Sequence, residues 1–199
     1  MEIKFLNKEI SMKKEINILD RLAIDFVSIL DKSKVEYVFV SGYVCILFGR
    51  SRASEDIDLI IERLSFTQFR KLWGNIYNDF ICINSSDIKE AYNEYLSKNI
   101  ALRFARKGGF VPNIKLKFPK IDLDHFTLKE KIKVVLNDNV IFISPLELQI
   151  AFKLYLGSEK DIEDAKHLYK IFKDKINLEL LYDFNRKLKI VEVFDKYLR

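Results

Sequence analysis

Two aspartates separated by one residue, Asp56 and Asp58, open the apolar run Asp56-Ile57-Asp58-Leu59-Ile60-Ile61. On an extended strand side chains alternate, so both carboxylates leave one face while Ile57 and Leu59 enter a core. Two like charges in one small space repel unless a cation lies between them. Hard oxygen ligands on a stiff strand suit Mg²⁺, which keeps several waters and bridges to substrate phosphates. In phosphoryl chemistry such an ion draws charge off the phosphate and lowers the pKa of an attacking hydroxyl. Upstream, Ser41-Gly42 closes a β-branched and aromatic run, Val35 to Val40, and opens a short apolar helical stretch, Tyr43 to Phe48. A strand that passes into a helix through small residues turns free backbone N–H groups toward one pocket, which suits a phosphate. Gly42 allows close approach of a ligand and the Ser41 hydroxyl adds a donor. Arg52 and Ser54, in the loop before the acids, offer further donors, and Arg52 is the stronger because a guanidinium grips phosphate with two parallel bonds. Singly, each residue has a bland reading: an exposed strand face for the two acids, local backbone capping for Ser54. Their joint spacing favours chemistry.

These residues need a frame. Apolar positions at helical spacing predict an opening helix over 12–33, followed by a strand at 35–40, a helix at 43–48 and a strand at 57–61. Ser65 and Gln68 have capping-box spacing for a helix to about Tyr77. A strand at 80–83, a helix at 86–96, strands at 100–105 and 114–118 and a short helix at 127–130 follow. Lys133 to Ile143 reads as a hairpin turning at Asn137-Asp138-Asn139. Ser144-Pro145-Leu146-Glu147 combines an N-cap, a proline at the first helical position and a capping-box acid, predicting a helix to Leu156. Gly157 ends it, Ser158 caps another to Phe172, and Asn177 and Ile190 begin two more. The expected class is α+β: a mixed β-sheet flanked by helices over residues 1–143, with residues 144–199 as a C-terminal helical subdomain packed on it.

The 199 residues carry 34 Lys+Arg against 29 Asp+Glu, a formal charge of +5, with 49% hydrophobic and 32% charged residues. That apolar share excludes intrinsic disorder, and the apolar runs are too short and too broken to span a bilayer. The first 20 residues mix acids with bases and have no secretory character, so a cytoplasmic location is expected. Cys45 and Cys82 lack CxxC spacing, and His125 and His167 lack partners at metal spacing, which argues against a disulfide framework or structural zinc. The lysine-rich stretch from Lys115 to Lys133 is an ordinary solvated face that could also guide RNA.

The segment Ser41-Gly42-Tyr43, Gly49, Arg52, Ser54, Asp56, Asp58 resembles the nucleotidyltransferase fold of the DNA polymerase β superfamily, in its minimal, AbiEii-like branch. There the pattern is a Gly-Gly turn with an aromatic, a Gly seven residues on, then Arg-x-Thr-x-Asp-x-Asp. Lys153 and Lys160-Asp161-Ile162-Glu163-Asp164 are similar to the branch's helical lysine followed by Lys/Arg-Asp-x-x-Asp. The resemblance implies a protein that binds an NTP with Mg²⁺ and transfers a nucleotidyl group to an RNA, protein or small-molecule hydroxyl. It implies Asp56 and Asp58 as metal-holding and catalytic, Ser41, Gly42, Arg52, Ser54 and Lys153 against the phosphates, Tyr43 near the base, and Asp164 orienting the acceptor or acting as base. Snorkelling weighs equally with phosphate binding for Lys153, and Asp161 reads as a helix-capping acid. The sequence departs from the family at the third carboxylate: the strand at 114–118 offers Lys115 and Lys117 there, with Asp122 and Asp124 as substitutes if the register shifts. The alternative is a catalytically degenerate binding or interaction module, such as a toxin–antitoxin component.

Overall fold

The computed structural model describes residues 2–6 and 9–199. In chain order its elements are β1 (Glu2–Leu6), β2 (Glu9–Lys13), α1 (Ile18–Lys32), β3 (Tyr37–Val40), α2 (Gly42–Leu47), β4 (Asp56–Ile61), α3 (Phe66–Ile76) and β5 (Phe80–Cys82). The short helix α4 (Ile88–Glu90) continues through a π-turn at Ala91–Tyr95 and a 3-10 turn at Leu96–Lys98. Then come β6 (Leu102–Arg106), β7 (Asn113–Lys117), α5 (Asp122–Lys129), β8 (Ile132–Leu136), β9 (Asn139–Ile143), α6 (Leu146–Leu156), α7 (Glu159–Phe172), α8 (Leu178–Lys187) and α9 (Val191–Leu198).

Among the described residues the strands form one nine-stranded sheet in the order β1-β2-β8-β9-β3-β4-β7-β6-β5. The parallel pairs β2/β8, β9/β3 and β4/β7 are interleaved with antiparallel ones, so the class is mixed α/β, with helices flanking a large sheet. Central strands are apolar on both faces because helices cover both: Tyr37, Val38 and Phe39 of β3 are all buried. Helix α1 lays Leu22, Phe26 and Leu30 into the core, where Phe26 meets Phe80 edge-to-face at 5.1 Å. The capping box at Ser65 and Gln68 forms as expected and starts α3. No helix among the described residues is long and apolar enough to cross a membrane, and both cysteines are free and buried.

Three elements depart from expectation. The opening helix begins after Asn17, not at residue 12, since Met12 and Lys13 belong to β2. Ile10 and Met12 alternate with more exposed neighbours and pair in parallel with Val134 and Leu136, so a period of two outweighs the helical pattern there. Helix α5 starts at Asp122, earlier than Thr127, because the Asp124 carboxylate accepts the backbone N–H groups of Lys120 and Ile121. Ser144 does not cap α6: its hydroxyl donates to Gln149 Oε1 at 2.9 Å, while Glu147 accepts the N–H of Asn177 at 2.7 Å.

Candidate functional site

Val40 lies opposite Asp58 in the antiparallel β3/β4 pair, so the turn after β3 and the acids that open β4 meet at one end of the sheet. A cavity of about 490 Å³ opens there, lined by Ser41, Gly42, Arg52, Ser54, Asp56, Asp58 and Lys153. Seven of the nine residues expected at the site therefore share one hollow; Tyr43 and Asp164 are not in its wall.

The turn itself is strained and clamped. Ser41 adopts φ 63° and ψ −136°, a conformation costing roughly 1–3 kcal/mol for a residue with a side chain. Gln149 of α6 holds it: Nε2 donates to the Ser41 carbonyl at 2.8 Å and Oε1 accepts the Ser41 N–H at 3.2 Å. Gly42 is required for a different reason. A Cβ there would lie 2.9 Å from Arg52 Nη2 and 3.2 Å from its Cζ, so the absence of a side chain leaves room for the guanidinium against the turn, and any side chain would push it aside.

Beneath the cavity, Asp164 is completely buried and gathers three cations. Arg52 Nη1 bonds its Oδ2, Lys153 Nζ lies 3.0 Å from the same oxygen, and Arg50 Nε lies 3.7 Å from Oδ1. Lys153 also donates to Asp161 Oδ1 at 2.6 Å, and Asp161 accepts the Ser158 hydroxyl at 2.6 Å. Burial alone would depress Lys153, but its hydrogen bonds to Asp161 and Asp164 outweigh this and hold its pKa above the ordinary lysine value. Asp161 mirrors it: burial works upward, the bonds from Lys153 and Ser158 prevail, and its pKa falls below the usual carboxylate value. Burial, and then the Asp164 charge, push the neighbouring Cys45 thiol up to about 12, so it stays neutral. Three cations against the two carboxylates leave a positive excess on the cavity floor, which suits a phosphate chain.

The opposite wall is acidic yet flanked by positive charge. Asp58 pairs in register with Lys115 of β7, and Lys115 with Arg103 of β6. Lys115 Nζ stands 3.6 Å from Asp58 Oδ1, and Arg103 Nη2 stands 3.9 Å from Asp56 Oδ2. Both distances exceed hydrogen-bonding range and all four side chains reach solvent, so the pairs are weak and do not close the site. Of the two ways left open for a third carboxylate, the lysine one holds at Lys115. Asp124 is committed to Lys117 at 3.2 Å and to the backbone of α5's first turn, and Asp122 stands on that same helix. No group of three or more His, Cys, Asp or Glu suited to a metal forms among the described residues. Two carboxylates completed by phosphate oxygens and water fit one Mg²⁺.

Three expectations need correction. The Tyr43 ring is 1% exposed, packs edge-to-face on Phe39 and donates its hydroxyl to Asp20 Oδ1 at 3.1 Å, so it cannot stack on a base. Asp164, under three cations with no exposure, is out of reach of an acceptor and instead positions Arg52 and Lys153. Ser54 donates its hydroxyl to the Asp56 carbonyl at 2.9 Å, which is local capping at the cavity edge. Sequence reasoning missed Gln149, Arg50 and Arg103. Their partners lie 47–114 residues away along the chain, and only the juxtaposition of α6 with the turn after β3, of α7 with the loop after α2 and of β6 with β4 reveals them.

No protein-family model matches the sequence, and no curated protein matches it. Among solved structures, an antigenic nucleotidyltransferase-like protein from Paracoccidioides brasiliensis superposes on 89% of this chain and 90% of its own, with a TM-score of 0.55 and 16% sequence identity. The fold is therefore nucleotidyltransferase-like. A looser similarity, to a chain of tRNA-processing enzyme complex 3, covers 86% of this chain and 56% of that one at 13% identity, and its TM-score of 0.34 is too low to support any inference.

Proposed function

We propose that the cavity binds a nucleoside triphosphate with Mg²⁺ and that the protein transfers the nucleotidyl group to a hydroxyl of an RNA, a protein or a small molecule. The observation that carries this reading is the convergence of Asp56 and Asp58 with Arg52 and Lys153 on one hollow of about 490 Å³. Arg52 and Lys153, both pinned by Asp164, neutralise the triphosphate without having to reorganise. The backbone at Gly42 and the Ser41 hydroxyl contact its oxygens. Asp56 and Asp58 hold the metal, which when bound draws charge off the phosphates and eases deprotonation of the acceptor. The acceptor oxygen bonds to the α-phosphorus as the bond to the bridging oxygen breaks; pyrophosphate departs on the Arg52 and Lys153 side, and the hydroxyl proton goes to water. The Arg52-x-Ser54-x-Asp56-x-Asp58 register, with Lys153 and Asp161 hydrogen-bonded, supports placing the chain in the minimal, AbiEii-like branch.

A second reading rests on one observation: Lys115 stands beside Asp58 in the place of an acid. On that reading the protein binds nucleotide without transferring it and serves as an interaction module, for example one half of a toxin–antitoxin pair. Labelled ATP, GTP, CTP and UTP are titrated with and without Mg²⁺, and label from the α-phosphate is then followed into total RNA and protein. Metal-dependent binding and transfer, both lost in Asp58→Ala, are expected. Binding without transfer selects the second reading, and absence of binding defeats both.

A further inference from the structure

The face that carries Asp58 continues across β7 and β6 as a row of charges, Asp58, Lys115 and Arg103, each opposite the next in strand register. Register matters because paired residues on neighbouring strands share a face, with Cβ atoms about 5 Å apart. Lys115 and Arg103 therefore do not swing in from loops; the sheet fixes their roots beside the acids. Their heads end 3.6 Å from Asp58 and 3.9 Å from Asp56, one cation per acid. Along this row two cations match Asp56 and Asp58 charge for charge, whereas two divalent ions would demand further acids beside the pair. Among the described residues no third acid joins the pair.

We propose that Lys115 and Arg103 stand where a second metal ion would otherwise sit, so that the site takes one divalent ion and supplies the remaining positive charge from fixed side chains. The inference rests on the proposed nucleotide-binding role of this cavity, because a single ion bridging Asp56 and Asp58 needs phosphate oxygens to complete its shell. Without nucleotide a free ion arriving at the two acids meets an ammonium and a guanidinium within 4 Å of them, which repel it, and it gains only two carboxylates. The unliganded protein is accordingly a poor metal binder. Replacing Lys115 with an acid both removes a competitor and adds a third oxygen ligand in register with Asp58.

The test counts metal directly. Mn²⁺, a paramagnetic stand-in for Mg²⁺, is titrated into wild type, Lys115→Asp and Lys115→Met, and bound ions are counted from the loss of the free-ion resonance. Lys115 is 39% exposed at its side chain, so both variants are expected to fold. Unliganded wild type should bind Mn²⁺ at least tenfold more weakly than Lys115→Asp, with Lys115→Met between them. With α,β-methylene-ATP present, wild type should take up one ion per chain and Lys115→Asp two. Two ions on wild type, or affinities of all three proteins within twofold of one another without nucleotide, overturn the proposal. Binding of the analogue, followed separately by equilibrium dialysis, reports on the nucleotide reading: if no protein binds it, that reading falls, while the metal counts without nucleotide still decide the role of Lys115.

Discussion

Gly42 and Arg52 act as a pair. The turn lacks a side chain so that a guanidinium can lie on it, and the guanidinium stays there because Asp164 holds its other edge. Gly42→Ala forces Arg52 off one of these contacts. It is expected to cost about 1–3 kcal/mol, the usual penalty of overpacking, and to weaken labelled-ATP binding tenfold or more, measured by urea unfolding and equilibrium dialysis. An unchanged affinity would show that Arg52 does not touch the triphosphate. Asp164→Asn probes the same arrangement from below. Removing one charge from a buried cluster leaves the cations uncompensated, so unfolding stability should fall by about 3 kcal/mol or more. A drop below about 1 kcal/mol would mean that Arg50, Arg52 and Lys153 reach water and do not depend on this carboxylate.

Helix α6 supplies two of the site's supports, Gln149 against the Ser41 backbone and Lys153 against the acids of α7. Ser41 sits at positive φ with a β-carbon, where the resembled family has glycine. Ser41→Gly relieves strain of roughly 1–3 kcal/mol, while the added freedom of the unfolded chain takes back about 0.5–1 kcal/mol. The net expectation is a rise in melting temperature of a few degrees, read by thermal unfolding; a fall would mean that the serine side chain stabilises the turn more than its backbone strains it. Much of this element order could be read in advance. The Ser65 box, the Asn137–Asn139 turn and the Gly157 stop are local signals, and each appears where local chemistry put it. What stayed hidden depends on partners far along the chain. Ile10 and Met12 become a strand only because β8 is beside them, and Ser144 abandons its cap because Gln149 needs a donor while clamping Ser41. The acids, the turn and Arg52 were legible because they fall within 18 residues, whereas the buried state of Tyr43 follows from Asp20, a residue of α1 that no motif links to the site.

At the scale of the whole molecule, α7 is fastened to α6 through charge, since Lys153 on α6 bonds both Asp161 and Asp164, and to the end of α2 through His167, which contacts the Phe48 carbonyl at 3.0 Å. The pKa directions give this fastening a pH signature. Asp161 titrates below its ordinary value in the folded chain, so its contribution is present above the unfolded-state value of 3.8 and is lost as pH falls through the lower folded one. Lys153 titrates above 10.5 when folded, so its contribution is present below that value and is lost as pH rises through the higher folded one. The stability gap between wild type and Lys153→Met should therefore be level from about pH 5 to 9 and should narrow on both sides, beginning near 3.8 and near 10.5. Urea midpoints taken across that range test it. A gap that narrows already at pH 6 to 8 would point to a titrating group other than these two. One that never narrows would mean that Lys153 contributes by the packing of its stem, since a buried methylene chain stabilises equally at every pH.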